Sequence, residues 1–137
     1  MLQVVQDYDL TRVRNRLLKE GWMPDTWIDE AIFEFRRYLG LRVLTGHSIE
    51  MFSVHVDEVW HTCLLFSRLY TDMCLEVFGY YLHHEPAPDP EPPGRTIRDP
   101  WALWLEFEEA YVGAYGGLTR FWLLARDRAA LIRDQRT

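Results

Sequence analysis

Residues 53–86 read SVHVDEVWHTCLLFSRLYTDMCLEVFGYYLHHEP, and this stretch decides how the chain is built. Ser53 is a good N-cap, because its hydroxyl can accept from a free amide of the first helical turn, and it predicts a helix over roughly 54–66. Ser67 predicts the cap of a second helix over roughly 68–78, and Gly79 fits the left-handed position that ends it. The expected unit is a helical hairpin with a tight joint, followed by a segment that returns toward it as far as Pro86.

Into this hairpin the sequence gathers Asp57, His61, Cys63, Cys74, His83 and His84, although the whole chain has only two cysteines and five histidines. Imidazole nitrogen, thiolate sulfur and carboxylate oxygen are the ligands that zinc takes in tetrahedral geometry. Asp57 and His61 are four residues apart, so on a helix they project from one face, and Tyr70 and Cys74 do the same one helix later. With the two helices antiparallel, His61 and Cys74 face each other, and the chain leaving Gly79 can bring His83 or His84 to the same place. The expected site is a zinc ion on His61, Cys74 and one of the two histidines, with Asp57 or water as the fourth ligand. The plainer alternative is a histidine beside Trp60 bonded to Asp57, with Cys74 as a small buried apolar residue. Cys63, two residues from His61 and near the opposite face, reads as packing.

Outward from the hairpin the pattern remains helical. Asp9 is placed to cap a helix with Leu10, Val13, Leu17 and Leu18 at helical spacing, stopping near Gly21. Pro24-Asp25-Thr26 opens a second, whose stripe of Trp27, Ile28, Ala31, Ile32, Phe35, Tyr38 and Leu39 runs on toward Leu44, with Glu30, Glu34, Arg36 and Arg37 expected on the polar side. Residues 85–98 hold five prolines between Pro86 and Pro93 and predict a loop or polyproline arm. Asp99 and Pro100 start another helix, through Trp101, Trp104, Leu105 and Tyr111 to Gly116-Gly117, and Thr119 begins the last. Trp27, Trp101, Trp104 and Trp122 fall on apolar stripes and read as core, while His47 and His55 are expected in solvent. The fold expected is an all-α bundle of five to six helices around the central hairpin, one domain over residues 1–137.

The pattern Val56-Asp57-Glu58-Val59-Trp60-His61-Thr62, then Tyr70, Cys74, Phe78-Gly79 and His83-His84 before Pro86, resembles the glycine-rich domain-containing protein-like family, with its D-x-x-W-H core followed by Tyr, Cys, Gly and His. A looser match extends to Tyr111 or Tyr115, Gly116 and Trp122. The resemblance implies a short bacterial-type member and favours His84 over His83, because the family's histidine lies just ahead of the proline. Many members carry a second histidine where this chain has Cys63. The long glycine-rich regions of the plant proteins are absent here.

The totals bound the function. A chain of 137 residues, 48% hydrophobic and with six Trp, seven Tyr and seven Phe, can bury a substantial core. A net charge of −6 and a pI near 5.3 argue against a binder of nucleic-acid backbone. No run reaches bilayer length, and the N-terminus is acidic where a secretory signal is basic, so a cytoplasmic protein without membrane contact is expected. Partners are expected among proteins or small molecules, and the aromatics suit either a core or a dimer face. The first functional reading is a zinc-stabilised binding or scaffolding module. The alternative is a metal-dependent hydrolase or transferase with an open zinc position and Asp57, Glu58 or Tyr70 as the nearby acid or base, or a thiol enzyme with Cys74 as nucleophile, His61 as its base and Asp57 as the orienting carboxylate.

Overall fold

The apolar stripe that begins at Trp27 forms the helix around which the others are arranged. A computed structural model of the chain describes residues 2–84 and 99–135, and all regular structure in them is helical: α1 (Leu2–Asp7), α2 (Thr11–Glu20), α3 (Asp25–Thr45), α4 (Val54–Leu65), α5 (Ser67–Val77), α6 (Pro100–Tyr115) and α7 (Arg120–Gln135). The expected proline-rich loop at 85–98 lies outside the described residues. α3 packs against α1, α2, α4 and α6, while α7 lies on α6 and α4. Ile28, Ala31, Phe35, Tyr38 and Leu39 of α3 are buried, as the stripe requires. No helix among the described residues is long and apolar enough to cross a membrane.

Local signals place most boundaries. Ser53 accepts from the Val56 amide at 3.2 Å, and Asp99 accepts from the Trp101 amide at 3.1 Å with Pro100 in the first turn. Asp9 accepts from the Thr11 amide at 2.9 Å, which starts α2 one turn after α1 has ended.

The all-α bundle is the one expected, with seven helices in the described residues where about five to six were foreseen; the addition is α1, where Val5 is buried and its carbonyl accepts from the Arg36 guanidinium at 2.7 Å. Other expectations are corrected. Ser67 does not cap α5 with its side chain: Phe66 alone separates α4 from α5, so Ser67 already lies in the helix and its carbonyl accepts from the Thr71 hydroxyl. His55 is packed edge-on to Trp27 rather than free in solvent, with ring centroids 5.3 Å apart.

The largest departure is Glu34. Instead of standing on a solvated face it is 2% exposed, and one of its carboxylate oxygens accepts from both the Tyr111 hydroxyl of α6 and the Trp122 indole of α7, each at 2.7 Å. Arg37 lies one turn on, 3.4 Å from the other oxygen and donating to the Tyr111 hydroxyl at 2.8 Å. A buried carboxylate is tolerated because donors and a cation replace its water. Trp104, Phe107 and Phe121 complete the aromatic layer between α6 and α7.

A second buried network fixes the chain after α5. Gly79, at φ 80°, turns the backbone out of the helix, a conformation that side chains with a Cβ resist. The Tyr70 hydroxyl accepts from the Trp60 indole at 2.9 Å and donates to the Leu82 carbonyl, so α4 and α5 together latch residues 80–84. Tyr81 packs edge-on against Tyr70, and Leu82 is buried.

Three outcomes are expected. Glu34→Ala strands two buried donors and a cation and should cost about 3 kcal/mol or more in urea denaturation, with Glu34→Gln milder. Tyr70→Phe should cost about 2 kcal/mol and speed amide exchange at 80–84 ahead of the helices. Burial and the Glu34 hydrogen bond push Tyr111 from 10.0 up to about 12. Its contribution is therefore complete below pH 10 and lost as pH rises to about 12, so stability should fall across that window, and less steeply in Tyr111→Phe.

Candidate metal centre

Asp57 stands in the first turn of α4, where the helix dipole favours a carboxylate, and His61 lies one turn further along the same face. The latched segment supplies the third group. His84 Nε2 donates to Asp57 Oδ1 at 2.7 Å, and His61 Nε2 lies 3.4 Å from Asp57 Oδ2. One atom from each of Asp57, His61 and His84 falls within 4.8 Å of the others. The His84 ring lies parallel to the Trp60 indole, centroids 4.0 Å apart and 7° between planes, and is near-parallel to His61 at 4.8 Å and 22°. The side chains are 14% exposed for His84, 28% for Asp57 and 49% for His61, so the group sits at a rim rather than in the core.

That rim borders a cleft of about 1490 Å³ whose walls include Tyr38, Arg42, Asp57, Trp60, Tyr81 and His84. Tyr38 donates to the Ile49 carbonyl, which ties the loop after α3 to the cleft wall. Burial pushes Tyr38 up to about 12, so its hydroxyl remains protonated at neutral pH.

The other residues singled out from the sequence lie elsewhere. Cys74 is fully buried behind the latch, with Tyr70 and the Leu82 backbone as its hydrogen-bonding neighbours, and it is not among the converging atoms. Tyr70 and Cys74 do share a helix face, but that face meets the returning backbone rather than His61. Burial raises the pKa of Cys74, and it pushes Cys63 up to about 12 against the pull of Arg36. Both thiols are therefore poor nucleophiles at neutral pH. His83 is exposed, edge-on to Tyr81 at 4.7 Å, and does not join the cluster. Tyr70 is raised by burial and held at both ends, which suits a latch.

Sequence reasoning did not foresee the parts of Trp60 and of Tyr38 with Arg42. Trp60 had a signal, since a Trp adjacent to a helical His can present its face to whatever approaches that His. The cleft wall had none, because it joins the end of α3 to residues some 40 positions later.

Chemically, two imidazoles and one carboxylate form a donor set that zinc and other divalent transition metals accept, and three protein ligands leave a coordination position open. Both Nε2 atoms aim at one carboxylate.

Comparison with known proteins corrects the family resemblance. Neither a curated protein nor a solved structure matches the chain. The D-x-x-W-H pattern and the spaced Tyr, Cys and His do not carry membership of the glycine-rich domain-containing family. These residues form a stacked His, a hydroxyl latch and a packed thiol, which are local solutions that a short motif cannot tie to one lineage. The family model that matches is described as UCP032817-like, an uncharacterised family, and it spans residues 2–106, from α1 through the Asp57–His61–His84 group and into α6. The chain belongs to the UCP032817-like family.

Proposed function

We propose that this protein is a metal-binding helical domain that holds a divalent transition metal, zinc first, on Asp57, His61 and His84, with an open position toward the cleft. The observation that carries the reading is the convergence of those three donor atoms within 4.8 Å at the cleft's edge. A structural zinc site closes its sphere with four protein ligands, whereas three ligands beside a cleft are the arrangement in which a bound water acidifies and a substrate carbonyl or phosphoryl oxygen is polarised. The chemistry supported is hydrolysis or group transfer with the ion as Lewis acid. The thiol route is disfavoured, because Cys74 is buried and its pKa is raised.

A second reading has its own support. The 2.7 Å hydrogen bond from His84 to Asp57 and the stacking on Trp60 satisfy these groups without an ion. In that case the cleft serves a binding or scaffolding module, and the His–Asp–His group fastens residues 80–84 to α4.

Elemental mass spectrometry on purified protein separates the two. The metal reading expects near-stoichiometric zinc, reduced at least about tenfold in His61→Ala and His84→Ala and retained in Cys74→Ser. Because Asp57, His61 and His84 stand at the rim and the Trp60 ring beneath them is held by its own core contacts, chelation should leave helical circular dichroism unchanged. A folded wild-type protein that neither retains nor takes up zinc, cobalt or iron sinks the metal reading and leaves the module.

A further inference from the structure

Arg14, Arg16, Arg37 and Arg120 each sit between 2.7 and 3.4 Å from a carboxylate. Arg42 makes no such pair among the described residues, although it is half-buried in the last turn of α3 and lines the cleft. The dipole favours a cation at a helix C-terminus wherever its side chain points, which accounts for the charge but not for its place in a cleft wall. That place follows from Tyr38, four residues earlier on the same face. The Arg42 guanidinium lies beside the Tyr38 hydroxyl, and the Asp57 carboxylate acts on that hydroxyl in the opposite sense, so the cation and the candidate metal centre share one wall. Tyr38 packs on Trp60 with centroids 5.3 Å apart, and Trp60 carries His84 at 4.0 Å. The latched segment adds two exposed rings to the same cleft, Tyr80 at 55% and Tyr81 at 39%. Glu50 and Glu109, also exposed, line it as well.

We propose that Arg42 is the ligand-recognition residue of the cleft and that the ligand is a small monocarboxylate with an aromatic or apolar body. The carboxylate meets the Arg42 fork, the body covers Tyr80 and Tyr81, and a carbonyl oxygen of the same molecule reaches the Asp57–His61–His84 group. This names the substrate class of the metal reading and rests on that reading for the last contact alone. A guanidinium presents parallel N–H groups that match a planar carboxylate in a bidentate pair, stronger and more directional than a point charge. Arg42 has donors to spare for such a pair, since the Tyr38 hydroxyl beside it is itself fixed to the Ile49 carbonyl. The charge of the walls decides between anions. One guanidinium balances one negative charge, whereas a phosphate dianion placed among Glu50, Asp57 and Glu109 meets net repulsion. The exposed tyrosines favour a ligand with a flat apolar body over a bare anion.

The test is a titration of the full chain, freed of metal, with N-acetyl-L-phenylalanine, its uncharged carboxamide and inorganic phosphate, followed by nitrogen-15 NMR. The acid should bind saturably, with shifts at the Arg42 Nε–H and at the Tyr80 and Tyr81 amides. The carboxamide and phosphate should each bind about 10–100-fold more weakly, the loss of one charge-assisted pair. Arg42→Gln should weaken the acid by the same factor, and Arg42→Lys, which keeps the charge without the fork, should recover only part of it. The comparison of acid with carboxamide decides the matter in the wild type even if a substitution at position 42 disturbs folding. No saturable binding of the acid, or equal binding of acid and carboxamide, overturns the proposal, and phosphate binding as tightly as the acid overturns the carboxylate assignment. Because the titration contains no metal, the two readings fail separately. A protein that takes up no zinc yet binds the acid through Arg42 loses the metal reading and keeps the carboxylate site, whereas one that takes up zinc and binds no acid does the reverse.

Discussion

The Glu34 carboxylate is the constraint on which the packing of the last two helices depends. Carried at the centre of α3, it receives the Tyr111 hydroxyl and the Trp122 indole on one oxygen, so a single acceptor sets α6 and α7 against α3. Hydrophobic burial alone does not specify such an arrangement, because Trp104, Phe107, Phe121 and Trp122 could slide along an apolar stripe at small cost. The hydrogen bonds are directional, and a misplaced helix leaves a buried carboxylate short of donors. Arg37 completes the set, stacking over Phe33 at 4.4 Å and Tyr115 at 5.0 Å while it neutralises the charge.

How far the fold could be read in advance follows from the range of each signal. Ser53, Asp99 with Pro100, Gly21 and Gly46 end or begin helices through contacts within a turn, so their meaning survives in the bare sequence. Glu34 is the opposite case. Its partners are 77 and 88 residues away, and without them a lone Glu on a helix is correctly assigned to solvent. α1 was missed for the same reason, being a six-residue helix that borrows its stability from a buried Val5 and from Arg36 of α3.

The site shows the same division. The pairing of Asp57 with His61 was legible because four-residue spacing fixes a common face whatever surrounds the helix. The spacing of Tyr70 and Cys74 was read as correctly, yet spacing does not say which neighbour a face meets. The hairpin turns that face to the backbone of residue 82, not to His61, and the thiol becomes part of the latch. Gly79 announced a change of direction but not its angle, and only the angle decides whether His83 or His84 reaches Asp57.

Trp60 joins the two halves of this account. One part of its indole packs with Phe35 at 6.2 Å and Tyr38 at 5.3 Å, its N–H is fixed by Tyr70, and its remaining face carries His84. The position of His84 is thereby inherited from α3 through one rigid aromatic ring, while Asp57 and His61 inherit theirs from the same α4 backbone that holds Trp60. Preorganisation of this kind places the entropic cost of assembling three converging polar groups in the folding of the core. The exposed rim is thereby set apart from the layer around Glu34, so that a change at one need not disturb the other.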